Sequence, residues 1–194
     1  LTKILMPNSL AIVHSNDILP TNADGSLRLV ANSDLFYLTG VNQEETILVL
    51  FPDAEDPRHR ELLFLRETSD LIATWEGHKL TVEEARARTG IQEVHWVSEF
   101  PGLLRRLMCE CEHVYLNSNE HKRASAEVQT RDARFARDLQ EQYPLHDYQR
   151  LARLMHRLRV VKSPTEVGLL QKACDLTRSG FERVARHVKP GVTE

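Results

Sequence analysis

Apolar residues in this chain form short continuous blocks in its first half and recur at helical intervals toward its end. Leu10-Ala11-Ile12-Val13-His14 is one such block, bounded by Pro7-Asn8 and by Ser15-Asn16-Asp17, and it predicts a buried strand. Thr46-Ile47-Leu48-Val49-Leu50-Phe51 is apolar almost throughout and β-branched at its start, the pattern of a strand covered on both faces. A polar loop bracketed by Pro52 and Pro57 turns the chain into Glu61-Leu62-Leu63-Phe64-Leu65, so these two strands are expected to form an antiparallel hairpin. Residues 93–97 and 114–116 predict two further strands. Ahead of the first, Thr81-Val82-Glu83-Glu84 has the spacing of a capping box with Gly90 as a helix stop, and between the two strands residues 103–108 predict a second helix. This alternation predicts an α/β sheet covered by helices.

Helical periods take over after residue 124. Residues 124–142 read as a surface helix with a thin apolar stripe, broken by Tyr143-Pro144. A second helix is expected over about 148–158, with Leu151, Leu154, Met155 and Leu158 on one side. Ser163 then serves as an N-cap, Pro164 sits where its missing N–H is harmless, and Glu166 completes a capping box. Val167, Leu170, Cys174, Phe181, Val184 and Val188 follow at helical spacing until Pro190-Gly191. A helix of about 24 residues, about 36 Å long, calls for a partner surface. Residues 20–26 are a turn-rich loop, and Leu1 to Met6 read as the tail of a helix whose start lies upstream. Neither an internal repeat nor a low-complexity segment is present.

A length of 194 residues fits one domain, or one domain and a piece of a second. A net charge of −3 supplies no basic stripe for a phosphate backbone, which argues against nucleic acid as a partner. No apolar run approaches the ~20 residues that span a bilayer, so a membrane is not expected either. Three cysteines make no disulfide framework and no export signal opens the chain, so a cytoplasmic location is expected. Because the first residue is not Met, further residues are expected ahead of it.

Cys109-Glu110-Cys111-Glu112-His113 combines zinc-ligand residue types, yet a single Cys-x-Cys pair cannot close a tetrahedral site, and both thiols read better as small hydrophobes. The nine histidines are scattered without a His-Glu-x-x-His pair, and no Gly-x-Ser-x-Gly elbow offers a nucleophile. Asp24 precedes Gly25 as in a tight turn. Trp75, in Leu71-Ile72-Ala73-Thr74-Trp75-Glu76-Gly77, reads either as an aromatic projected outward or as one packed under its own loop. Asn32-Ser33-Asp34-Leu35-Phe36-Tyr37-Leu38-Thr39-Gly40 reads as a turn and edge strand, with Asn and Asp fixing backbone N–H groups and Gly40 free to take positive φ.

The segment from Asn32 to Gly40, Trp75-Glu76-Gly77 and Lys162-Ser163-Pro164-Thr165-Glu166 together resemble the N-terminal half of aminopeptidase P, the Xaa-Pro aminopeptidases of the creatinase/prolidase family. The resemblance runs from about residue 7 to the end. It departs where the family usually carries Arg-Gln and Glu-Pro-Glu-Ala, because Val30-Ala31 and Gln43-Glu44-Glu45-Thr46 stand in those places. The arginine's contacts are therefore not carried over.

The resemblance implies a mixed sheet flanked by helices, in a ribonuclease-H-like arrangement, over residues 1–158. It implies that residues 159–194, with a long C-terminal helix, are the truncated start of the pita-bread catalytic domain. Two divalent metal ions, manganese by expectation, belong to that following domain, on two Asp, one His and two Glu. None of those ligand motifs occurs here, so no metal, no catalytic residue and no activity are expected of this chain alone. Nor does the ribonuclease-H-like arrangement imply a nuclease, since residues 10–14 hold no carboxylate for magnesium. Trp75 matches a family position that reaches into a neighbouring subunit's active site, where its ring can stack on an apolar or proline ring. Asp24 matches an acidic residue at the same cleft that can receive a free α-amino group.

The implied function is a metal-dependent Xaa-Pro aminopeptidase, removing an N-terminal residue that precedes proline, in which this part shapes substrate access and oligomer contacts. Its partners would be its own C-terminal catalytic domain, further copies in a homodimer or homotetramer, and peptides with proline second. A prolidase-type dipeptidase, and a non-enzymatic peptide- or protein-binding module of the same architecture, stay open as alternatives. Sequence beyond Glu194 distinguishes them by carrying or lacking the metal ligands.

Overall fold

The structure, a computed structural model, describes residues 1–123 and 127–193. At its centre lies β1 (Ser9–His14), buried at all six positions. Its placement explains this: β2 (Ile47–Leu50) pairs antiparallel on one side and β5 (His113–Leu116) pairs parallel on the other. β3 (Glu61–Leu65) completes the expected hairpin with β2, setting Phe64 opposite Ile47 and Leu62 opposite Val49. β4 (Glu93–Trp96) and β6 (Asp147–Arg150) join in parallel at the two edges, for the order β4-β3-β2-β1-β5-β6. β2 runs against the other strands, and the stretch β3-β2-β1-β5-β6 is the ribonuclease-H-like arrangement, with β4 added outside β3.

Side chains on a strand alternate between faces, and here both faces are covered. On one face, Leu10, Ile12, Val49, Leu62 and Phe64 pack with Phe100, Leu104, Leu107 and Met108 of α4 (Phe100–Glu110) and with Leu139 of α5 (Arg131–Gln142). Ala11 and Val13, on the opposite face of β1, are equally closed to solvent. That double coverage is why the central strands read as unbroken apolar runs. α3 (Val82–Thr89) has the reciprocal cap its spacing predicts: Glu84 N–H donates to Thr81 Oγ1 at 3.2 Å and Thr81 N–H donates to Glu84 Oε2 at 2.9 Å.

Four local readings need correction. Residues 33–39 form a helix, α1 (Ser33–Thr39), rather than a turn and edge strand; Asn32 caps it by accepting from Asp34 N–H and Leu35 N–H, and Gly40 ends it at φ 70°. Leu35 and Thr39, one helical turn apart, are its buried side. Residues around Trp75 are also helical, as α2 (Asp70–Glu76), capped by Ser69. The helix expected from residue 124 begins at Arg131 behind the Thr130 cap; Ala124, Ser125 and Ala126 lie outside the described residues. The helix expected from residue 148 begins at Leu151, as α6 (Leu151–Val160), because Asp147–Arg150 pairs with β5 as β6. At the chain's start, Thr2–Ile4 form a single 3₁₀ turn.

The chain divides into two compact units, residues 1–155 and 156–194. The second consists of the end of α6 and of α7 (Pro164–His187), whose capping box at Ser163 and Glu166 is formed as expected. None of the 24 residues of α7 is buried, and Val167, Leu170, Phe181 and Val184 are all exposed.

Candidate functional site

β1, β3, β4, β5 and β6 share one direction, so their carboxyl ends lie along one edge of the sheet. In open α/β sheets this edge is where connecting segments gather to receive ligands. Residues 15–32 leave it from β1, residues 66–80 from β3, and residues 40–46 return to it ahead of β2. Asp24 belongs to the first of these segments and Trp75 to the second.

The segment after β1 is held as a closed loop. Asn16 Nδ2 donates to Val30 O at 2.9 Å, Leu27 N–H to Leu19 O at 2.8 Å, and Thr21 N–H to Gly25 O at 2.9 Å. Asp17 accepts from Arg134 Nη2 at 2.9 and 3.0 Å, tying the loop to α5. Asp24 stands exposed at the tip of the turn, between Ala23 at φ 51° and Gly25. A Cβ at Gly25 would lie 2.7 Å from Thr21 Oγ1 and 3.2 Å from the Asn22 carbonyl oxygen, so a larger residue there requires the exposed Thr21 side chain to move.

α2 carries Trp75 outward, 81% exposed, with Leu71 exposed one turn before it. What holds this helix is a set of charges. Glu44, itself only 6% exposed, accepts from Arg66 Nη1 at 3.1 Å and is paired with Lys79 Nζ. Arg66 reaches in turn to Glu76, the neighbour of Trp75, at 2.9 Å from Nη2 and 2.6 Å from Nη1. Gln43 Oε1 accepts from Leu80 N–H at 2.8 Å, fixing the chain just past Lys79. Burial opposes the charge on Glu44, but Lys79, the backbone and Arg66 outweigh it, and its pKa lies below the ordinary value. Sequence reasoning missed Glu44, Arg66 and Lys79 as a group. The one visible signal was Gln43-Glu44-Glu45-Thr46 standing where related sequences carry Glu-Pro-Glu-Ala.

His14 ends β1 at the same edge. Its ring is 3% exposed, 4.3 Å from the Phe135 ring and edge-on to Phe100, with Nδ1 3.4 Å from Asp132 Oδ1. Burial lowers its pKa from the ordinary 6.5, and Asp132 only partly offsets this. The folded chain therefore binds fewer protons here than the unfolded chain once pH falls below about 6.5, so stability declines with falling pH in that window. Glu44, held ionised, adds a separate loss only at lower pH, below its ordinary value of 4.5. Urea unfolding at pH 7.5 and 5.5 is expected to show a smaller decline for His14→Gln than for the parent chain; equal declines would remove His14 as the cause.

Among the described residues, no group of three or more His, Cys, Asp or Glu could hold a metal ion. Cys111 is buried, its thiol pushed up to about 12 by burial, while Cys109 is exposed. Among the described residues no helix is long and apolar enough to cross a membrane. No hydrogen bond, ion pair or ring contact among the described residues joins Asp24 to Trp75.

The architecture has counterparts among known proteins. The model of the aminopeptidase P N-terminal domain matches residues 1–115. The Xaa-Pro aminopeptidase of Escherichia coli (strain K12) is 25% identical over 198 residues, covering 100% of this chain and 44% of its own length. The structure of Zn-substituted E. coli aminopeptidase P in complex with product superposes with a TM-score of 0.78 at 25% identity, covering 100% of this chain and 44% of that one. Aminopeptidase PepP of Pseudomonas aeruginosa gives 0.83 at 21% identity, over 98% of this chain and 43% of that one. The chain thus spans less than half the length of these relatives. Because the family model spans more than half of the chain, the chain belongs to the aminopeptidase P N-terminal domain family.

Proposed function

We propose that this chain is the non-catalytic N-terminal part of a metal-dependent Xaa-Pro aminopeptidase, in which it shapes substrate access and oligomer contacts. The observation that carries the reading is the end-to-end alignment of the chain with 44% of the E. coli Xaa-Pro aminopeptidase. Residues 1–158 serve as the N-terminal domain, and 159–194 begin the catalytic domain that the apolar face of α7 packs against. Trp75 presents an indole face to a proline or other apolar ring at small entropic cost, since only two torsions must be fixed. Asp24 receives the peptide's free α-amino group by a charge-assisted hydrogen bond.

Two divalent ions, manganese by this reading, supply an activated water for amide hydrolysis when bound. The described residues do not fit them, having no ligand cluster, and they belong to the domain that follows. The protein acts in the cytoplasm as a homodimer or homotetramer.

The test is a peptidase assay of the longer protein on Xaa-Pro tripeptides and dipeptides, after chelation and after manganese is restored. Metal-dependent release of the first residue from tripeptides is expected. Turnover of dipeptides alone would replace the reading with a prolidase, and peptide binding without turnover would replace it with a binding module. Turnover by the 194-residue chain itself would overturn its non-catalytic role.

A further inference from the structure

α2 covers little of itself: Ile72 is half-buried and its other six residues are exposed. None of its seven residues is buried, and a helix so short is well below the ~12–15 residues that an isolated helix needs to be stable in water. Its order must come from its ends. Ser69 Oγ caps one end by accepting from Ile72 N–H at 3.3 Å, but a cap fixes the first turn and leaves the direction of the arm open. Direction is set by Arg66, before the helix, and Lys79, after it, which converge on one carboxylate. That carboxylate belongs to Glu44 on the segment entering β2, so both roots of the arm are tied to the sheet at one point. The Arg66 and Lys79 side chains are themselves 24% and 11% exposed and that of Glu44 is 8%, so water screens this cluster less than it screens a surface pair.

We propose that Glu44 is a positioning residue: by holding Arg66 and Lys79 together, and through Arg66 the Glu76 next to Trp75, it fixes the direction in which the Trp75 indole projects. This rests on the reading of Trp75 as a substrate-facing side chain for its consequence, though not for its mechanism. Removing the charge at Glu44 leaves Arg66 paired with Glu76 alone and takes the carboxylate from Lys79, so the two roots of the arm are no longer tied to each other. The loss of that shared anchor then favours an open, mobile arm. Gln43, bonded to Leu80 N–H without a formal charge, keeps the chain beyond the arm in place when Glu44 is changed.

The probe is Trp75 itself. The chain has two tryptophans, so Trp96→Phe leaves Trp75 as the sole indole, and its time-resolved fluorescence anisotropy reports motion of the arm on the nanosecond scale. In that background Glu44→Gln is expected to raise the amplitude of the subnanosecond component about twofold or more. Glu76→Gln, which cuts the outer bond at an exposed residue, is expected to raise it less. An unchanged decay in Glu44→Gln overturns the proposal; should that variant fail to fold, an unchanged decay in Glu76→Gln does so.

In the longer protein, Glu44→Gln is expected to raise KM for Xaa-Pro tripeptides with kcat little changed, the mark of lost substrate positioning. A loosened anisotropy with unchanged kinetics leaves the clamp standing and overturns the substrate role of Trp75. The two readings thus fail by different measurements.

Discussion

Phe64→Ala is expected to lower the stability of the chain by about 3–5 kcal/mol. Phe64 is fully closed to solvent on β3, a strand held by ladders to β2 on one side and β4 on the other. Its ring meets Phe100 edge-on with centroids 5.1 Å apart and lies 5.7 Å from the His95 ring. Such an aromatic pair adds roughly 0.5–1.5 kcal/mol to what burial alone supplies. With backbone pairing on both flanks the strand cannot sink into the space left by the ring, so a cavity remains and its cost is added to the lost transfer energy. Urea unfolding should show a lower midpoint at unchanged slope. The comparison is Phe36→Ala on α1, where the ring is 50% exposed and the loss should stay below about 1 kcal/mol. A Phe64→Ala chain within about 1 kcal/mol of the parent would mean that the β3 face is not the centre of the core.

Where a segment's burial is written in its own residues, the sequence reading and the structure agree. β1, β2 and β3 are buried on both faces, and their apolar runs announce it; Thr81 with Glu84 and Ser163 with Glu166 carry complete helix-start signals. The misread segments are those whose structure is decided elsewhere. β6 is a polar edge strand whose pairing is a backbone matter with β5, so no alternation marks it. α2 buries no residue, so there is no stripe for a helical period to reveal. α1 displayed both of its ends, Asn32 and Gly40, but the run Leu35-Phe36-Tyr37-Leu38 between them favours a strand by composition. The charge cluster under Trp75 was the least legible of all. Glu44, Arg66, Glu76 and Lys79 are ordinary surface charges in a linear reading, and only the pairing of β2 with β3 brings the roots of the arm together.

Trp75→Ala is expected to separate stability from function. A buried tryptophan cut to alanine costs about 3–5 kcal/mol, but Trp75 is 81% exposed on a helix without a buried residue, so its removal should cost the folded chain less than about 1 kcal/mol. We propose that this exposed side chain, on an arm fastened by four charged groups, is placed for contact with something outside the chain. Under the proposed function that contact is the peptide in a neighbouring subunit's cleft. In the longer protein, kcat/KM on Xaa-Pro tripeptides should then fall about tenfold or more, each factor of ten corresponding to ~1.4 kcal/mol of lost transition-state stabilisation. Trp75→Phe, which keeps an aromatic face, should recover part of the loss. Urea unfolding of the chain and steady-state kinetics of the longer protein, taken on the same variants, decide the matter: a loss of about 3 kcal/mol or more in stability with kinetics unchanged would show that the indole serves the fold and takes no part in peptide recognition.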